Sequence, residues 1–371
     1  MDYIYISITA AFIISLLWQL YYILVVHRKL AVFRIPDSDT HSDEPVSVII
    51  CARNEIENLK LNLIPILEQD YSDFEVIVVN DCSNDGSDWY LRDLSAQYKR
   101  LKVVTIDDHP RFKHGKKFAV TLGIKAAKNE NLLFTDADCK PASDQWIKIM
   151  QSNFNDQTEI VLGYSPYEFK GGLLNRFIRF ETFITALNYL SYAIMGNPYM
   201  GIGRNMAYKK SLFFRGKGFA AHMHILSGDD DLFVNQNANR TNTRIEIHPD
   251  THVWSEPKMS FSAFFSQKIR HQGAGKAYKN HHKKMLSLQI VSAILFYLLM
   301  GVLLIIKADW WLIVSVYSIR LLVQIIVYLP ALKRLKYADL IWFLPLFDFI
   351  YYIYIMLLSF ITLFRKKVEW K

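Results

Sequence analysis

The chain has 371 residues, enough for one large domain or two ordinary ones with a sizeable core. With 51% hydrophobic and 14% aromatic residues it is too apolar for an ordinary soluble protein and too polar for a pure membrane bundle. A net charge of +8 raises nucleic acid as a partner, but the Lys and Arg residues gather beside apolar segments, so anionic lipid accounts for them and no nucleic acid is expected.

In chain order, Tyr3 to Val26 comes first, about 24 residues without a charge and long enough to cross a bilayer. His27, Arg28 and Lys29 follow it, whereas charge precedes the apolar run of a cleaved signal peptide, so residues 1–28 read as an N-terminal transmembrane anchor. Pro36 to Pro45 is a polar linker. From Val46 strands and helices alternate: VSVIICA, FEVIVVND, LKVVTID and NLLFTDAD read as strands, with amphipathic stretches between them. That alternation predicts the α/β class, an open and largely parallel sheet with helices on both faces and ligands beyond the carboxyl ends of the strands. Leu173 to Met195 carries Arg176, Arg179 and Glu181 among aromatics and aliphatics, which suits an interfacial amphipathic helix or else a core helix capping the sheet. FSAFFSQKIRH (Phe261 to His271) reads as a second such helix.

Three further apolar runs follow within residues 285–364: Met285 to Ile306, Trp310 to Leu329 and Leu340 to Phe364. Basic residues at 27–29 and at Lys276 to Lys284 flank residues 45–283, which places that region in the cytoplasm of a multi-pass protein of the inner (plasma) membrane. Four full crossings leave the tail RKKVEWK outside, while Pro345 and Asp348 suggest a kink or a hairpin that does not cross. Arg320, Gln324 and Asp348 within apolar runs suit a polar path, snorkelling or interhelical hydrogen bonds. Cys51, Cys82 and Cys139 have no paired spacing and read as reduced thiols rather than a disulfide frame or a zinc site.

Polar residues stand at each strand's carboxyl end: Arg53 and Glu55, Asn80 to Ser87, Asp107 to Lys117, and Asp136 to Pro141. Asp136 and Asp138 repel one another unless a cation sits between them and a ligand; oxygen ligands favour Mg²⁺ or Mn²⁺, completed by a diphosphate. Asp81 and the NDGS turn after it could read a base or ribose, and Lys116 at a helix start could meet phosphate. Asp229, Asp230 and Asp231 could supply a general base or form a solvated helix N-terminus. His248 and His252 suit a third metal ligand or structural histidines.

The ordered set VSVIICARNE, VIVVNDCSNDGS, GKKFAVTLGI, FTDADCKP, GRNMAYKK, GDDDLF and QKIRH resembles membrane-bound family 2 glycosyltransferases, relatives of the polysaccharide synthases. The resemblance implies a GT-A nucleotide-diphospho-sugar transferase domain with a Rossmann-like mixed sheet between N-terminal and C-terminal transmembrane helices. Carried over, it implies Asp81 at the base, Asp136 at the ribose or metal, Asp138 at the metal, and Asp229 as catalytic base with Asp230 in the neighbouring register. It further implies substrate contacts for Arg53, Glu55, Lys116, Asn205 and Asp231, and for Gln267, Arg270 and His271 in a motif resembling Gln-x-x-Arg-Trp. His271 stands in place of Trp, which weakens a processive reading, and Thr121 stands where the family often has Asn. The function implied is an inverting, metal-dependent glycosyltransferase moving a sugar, UDP-linked by default, to a lipid-linked or cell-surface glycan. A processive synthase with export, and a silent membrane scaffold, are the alternatives; a homo-oligomer or an export partner stays open.

Overall fold

Runs of β-branched and aliphatic residues start the sheet because both of its faces are covered. The computed structural model describes residues 2–35, 43–107, 115–225 and 227–364. Most of the polar linker, residues 108–114 and the tail 365–371 lie outside the described residues, as does the side chain of His271. The chain enters through α1 (Asp2–Tyr21), a π-helical segment (Tyr22–His27) and α2 (Arg28–Ala31). Then come β1 (Val46–Ala52), α3 (Ile56–Leu67), β2 (Phe74–Asp81), α4 (Ser87–Gln97), β3 (Leu101–Ile106), α5 (Lys116–Ala126) and β4 (Asn131–Asp136). Next are β5 (Cys139–Pro141), α6 (Trp146–Gln151), β6 (Ile160–Leu162), α7 (Gly172–Ile194), β7 (Met206–Lys209) and α8 (Lys210–Arg215). The remainder is α9 (Asp231–Asn237), β8 (Thr243–Ile245), β9 (Val253–Ser255), α10 (Phe261–Gly275), α11 (Asn280–Ile305), α12 (Trp310–Arg334) and α13 (Leu344–Phe364).

The main sheet runs β3-β2-β1-β4-β7-β6-β8, and β5 pairs with β9 in a small ribbon. Strands β1 to β4 are mutually parallel, as their alternation with helices predicts, and their register sets Ala52 opposite Asn80 and Cys51 opposite Asp136. Their carboxyl ends therefore stop at one level. The second half is different: β7 is antiparallel to both β4 and β6, an arrangement that short strands far apart in the chain do not announce. Alternate residues divide the core. Val48, Ile50, Val76 and Val78 meet Leu59, Leu63, Leu91 and Trp146 of α3, α4 and α6. Ile49, Ile77 and Val79 face α5 and α7. Helix α5 sits directly on the strands at Gly123, where a Cβ would lie 2.7 Å from Ile49 Cγ2, so only glycine permits that approach.

Helix α7 corrects the interfacial expectation. Fifteen of its 23 residues are buried, and the cluster containing Phe180, Phe183 and Leu187 continues without a break into Tyr22, Val26, Tyr328 and Ala331 of the apolar helices. Its charges are paired inside the fold: Arg179 donates to both carboxylate oxygens of Asp339 at 2.7 Å, and Glu181 takes the ammonium of Lys268. His27, Asn188, Gln289 and Tyr328 add a hydrogen-bonded joint between α7 and those helices.

Among the described residues, four segments are long and apolar enough to cross a membrane: Tyr3–Ala31, Asn280–Ile305, Trp310–Arg334 and Ala338–Thr362. Arg320, Gln324 and Asp348 join them through interhelical bonds. Arg320 Nη1 pairs with Asp348 Oδ2 at 2.8 Å and Nη2 donates to Gln19 Oε1 at 3.1 Å. Gln324 Nε2 donates to Asp348 Oδ1 at 3.0 Å, while Gln19 Nε2 donates to Ser292 Oγ at 2.6 Å. One cluster thus ties α1, α11, α12 and α13. The last segment also stays beside the α/β part: Phe347 meets Phe177 edge-on and Phe180 at a tilt, Tyr354 stacks on Phe264, and Lys276 Nζ reaches Thr362 O at 3.5 Å. Asp339, held by Arg179, stands at the start of this segment, which then runs as one unbroken helix, α13, along α10 and α7.

Removing one partner of a buried pair strands the other charge, whereas removing both does not. Arg320→Met or Asp348→Leu alone should therefore lower the stability of the detergent-solubilised protein by about 3–5 kcal/mol, and the double variant should recover most of it, read by thermal unfolding. Additive losses in the double variant would contradict the pairing.

Candidate functional site

The cleft lies beyond the level carboxyl ends of β1, β2 and β4, at the first turn of α5. A cavity of about 20 Å³, room for one water, is lined there by Cys51, Lys116, Asp136, Gly203, Asp229 and Asp230 among others. Lys116 is central to it: its Nζ lies 2.8 Å from Asp136 Oδ1 and 3.3 Å from Asp229 Oδ2. Burial works against the ammonium, but Asp136, Asp229 and Asp230 outweigh it and hold Lys116 well above the ordinary lysine range. Cys51 is no nucleophile, because burial pushes its thiol far up; Lys116 opposes this, and Asp229, Asp136 and Asp81 reinforce it. Asp81, buried at the end of β2, follows Asn80, which the register sets opposite Ala52, so it stands at the same end of the sheet.

Asp136 ends β4 and Asp138 occupies the turn after it, where Cys139 Sγ donates to Asp138 Oδ1 at 3.3 Å and the β5–β9 ribbon fixes the backbone. Glu55 faces this pair. Burial raises its carboxyl above the usual range, the Asn58 hydrogen bond lowers it, and Asp138 raises it further. Arg53 is exposed on the rim. In the turn after Asp81 it is Asp85 that is committed to the fold: it accepts from Ser87 N at 3.0 Å and from Ile56 N at 2.9 Å, holding the starts of α4 and α3.

Among the described residues, no group of three or more His, Cys, Asp and Glu side chains forms a ready-made metal cage. Two carboxylates at a strand end still suit Mg²⁺ or Mn²⁺, which bind through one or two carboxylates and fill the remaining positions with substrate phosphate and water. The two histidines do not join them. His252 is buried with Nε2 3.3 Å from Ile247 O and its ring against Tyr164, and His248 Nδ1 accepts from Asp250 N, so both are structural.

The three consecutive aspartates divide their work. Asp229 faces the cleft and Lys116. Asp230 caps α9, its Oδ1 accepting from Asp231 N at 2.7 Å, and its Oδ2 holds Gly203 N at 2.8 Å. Asp231 turns away, accepting from Tyr278 OH at 2.8 Å and Leu232 N at 2.7 Å. Burial raises the carboxyls of Asp230 and Asp231 above the ordinary range, and each is raised further by its acidic neighbour. Asp231 is thus a buried structural partner of Tyr278 rather than a cleft residue.

Asn205 is corrected likewise. It is fully buried, donates to Tyr164 O and Thr251 O at 2.8 Å, and accepts from Trp146 Nε1 at 3.0 Å. It braces the Gly203 turn from beneath. Helix α10 carries Gln267 and Arg270 and reaches the loop before Asp229 through Ser227 Oγ, which donates to Arg270 O at 3.2 Å. Thr121 Oγ1 bonds Lys117 O within α5. Sequence reasoning missed Lys117, whose buried Nζ donates to His222 O at 2.7 Å and Ile225 O at 2.9 Å, pinning the loop that delivers Asp229. The doubled lysine at a helix start was its signal. It also gave no role to Arg204, although that residue lies within the GRNMAYKK stretch.

Residues 47–217 match Glycosyl transferase family 2. Glycosyltransferase AglE of Haloferax volcanii is 35% identical over 105 residues, 28% of this chain and 33% of that protein. An uncharacterized glycosyltransferase of Haemophilus influenzae is 26% identical over 154 residues, 42% of this chain and 58% of that protein. The chain thus spans a third to somewhat over half of these relatives' length. A mannosyltransferase from Pyrobaculum calidifontis, solved in complex with GDP-Man and Mn²⁺, superposes with a TM-score of 0.61 at 16% identity, covering 98% of both chains. The shared architecture is GT-A-like, with the apolar helices included.

A carboxyl raised in the folded state favours folding below its unfolded pKa and loses that contribution as pH climbs through the folded value. Asp231→Asn mimics the protonated form. Its thermal midpoint should match wild type near pH 5 and equal or exceed it near pH 8; an equal loss at both would show that Asp231 is needed as a carboxylate.

Proposed function

We propose, from the premise that residues 47–217 form a glycosyl transferase family 2 domain, that the protein moves a glycosyl group from a nucleoside-diphosphate sugar to a hydroxyl of a lipid-linked or surface glycan at the cytoplasmic face of the membrane, with inversion. One observation carries the reading: Lys116 joins Asp136 and Asp229, so the strand-end carboxylates and a separate carboxylate share one cleft. The donor is UDP- or GDP-linked, GDP-Man being what the Pyrobaculum calidifontis neighbour holds.

In this reading Asp81 meets the nucleoside, Asp136 and Asp138 would hold Mg²⁺ or Mn²⁺, and the ion, when bound, would neutralise charge on the leaving diphosphate. Asp229 accepts the acceptor's hydroxyl proton while that oxygen bonds to the anomeric carbon and the bond to the diphosphate breaks. Asp230 keeps Gly203 and Asp229 in place. Lys116 pairs with Asp229 at 3.3 Å before substrate arrives and offers its ammonium to phosphate afterwards. Gln267 and Arg270 of α10 close the acceptor side beside Asp229. Single transfer is favoured over extrusion of a polymer because the last apolar segment lies against the α/β part and few helices are left to frame a channel.

The test is nucleotide release by the purified full chain against UDP-, GDP- and dTDP-sugars, with Mn²⁺ and a membrane lipid extract. Release from one donor is expected, and Asp138→Asn and Asp229→Asn should each reduce it about 10²–10⁴-fold. Unchanged release in Asp229→Asn would remove it as the base, and silence with every donor would leave the scaffold alternative.

A further inference from the structure

Arg204 is a cation beside the cleft that has no acidic partner among the described residues. It follows Gly203, which lines the cavity beside Asp136, Asp229 and Asp230. Its guanidinium carbon lies 4.4 Å from the centre of the Tyr167 ring, and Nη2 donates to Ser165 O at 3.3 Å. Nη1 is buried without a hydrogen-bond partner. Among the described contacts Arg204 makes no ion pair, although Asp138 and then Asp136 lie within electrostatic reach.

Leaving charged donors buried and unmet is costly, and folded proteins seldom do it without a use for them. A guanidinium here is also more than a space filler. Stacking on Tyr167 and the bond to Ser165 fix its plane, which pre-organises it, and a planar fork of N–H donors matches the oxygens of a phosphate. The two cations of the cleft are placed on different carboxylates. Lys116 binds Asp136 and Asp229, whereas the carboxylates whose charge acts on Arg204 are Asp138 and then Asp136. A phosphate placed against Asp136 and Asp138 would therefore have Lys116 to one side and Arg204 to the other.

We propose that Arg204 is a phosphate-binding residue of the active site, its guanidinium taking the anionic oxygens of a phosphate group held beside Asp138. This rests on the glycosyltransferase reading. Two sources supply that chemistry: the diphosphate of the donor, and the phosphate that joins a lipid to the acceptor glycan. Sequence position 204 thereby gains a role separate from Asn205, which is locked into the fold.

The experiment uses the full chain in detergent, wild type beside Arg204→Gln and Arg204→Lys. Calorimetry with Mn²⁺ measures binding of UDP, GDP, uridine and guanosine, and nucleotide release is titrated with the lipid extract. If the donor diphosphate is the ligand, Arg204→Gln weakens the bound nucleoside diphosphate about tenfold or more and leaves the nucleoside unchanged. If the acceptor phosphate is the ligand, diphosphate binding is unchanged and the KM for lipid extract rises by a similar factor. Arg204→Lys, which keeps charge but not the fork, falls between in either case and serves alone if the Gln variant does not fold. A folded Arg204→Gln protein with wild-type Kd and KM overturns the proposal while the enzyme reading stands. Wild-type protein that binds no nucleotide overturns both.

Discussion

The site depends on one ammonium ion placed among carboxylates. Asp136 and Asp229 come from distant parts of the chain and would repel across the cleft; Lys116 contacts both and turns that repulsion into attraction. Its position follows from packing rather than from chemistry at the site. Gly123 lets α5 settle onto Ile49 and Val79, which sets the helix's first turn level with the ends of β1 and β4. A bulkier residue at 123 would lift the helix, and the lysine with it, away from the acids it links. Lys117, the next residue, then fastens the loop of His222 and Ile225 that leads to Asp229.

Local pattern carried part of this far. The four parallel strands were legible because each is a short run of buried aliphatic residues ending in polar ones, and a strand that stops at Asp136 must present it at the sheet's end. The roles within Asp229 to Asp231 were not legible: which aspartate faces the cleft depends on where Gly203 and Tyr278 stand, and neither is near in sequence. Asn205 failed for the same reason. A motif tells that an Asn is wanted but not whether its amide turns to a ligand or to Trp146 and Thr251.

Helix α7 is the plainest case of a local signal overridden by tertiary context. Aromatics mixed with Arg and Glu suit a bilayer surface, yet here Arg179 and Glu181 have ion-pair partners, Arg176 lies over the rings of Phe169 and Phe343, and the aromatics meet other helices. Polar residues in the apolar segments behave the same way. Arg320 and Asp348 satisfy one another together with Gln19 and Gln324, so the cluster fixes which helices neighbour which, the use of polar groups best suited to a surrounding without water.

The unbroken cluster from Ile49 through Phe183 to Tyr328 has a practical meaning. A protein whose α/β half and apolar helices share a single interior is one cooperative unit, not a domain on a leash. Excising the region between the first and second apolar helices would bare Phe177, Phe180, Phe183 and Tyr337's partner Tyr167 to water, a patch that drives association. The aromatic face of α7 is therefore fully covered only with the helices of the last third of the chain in place.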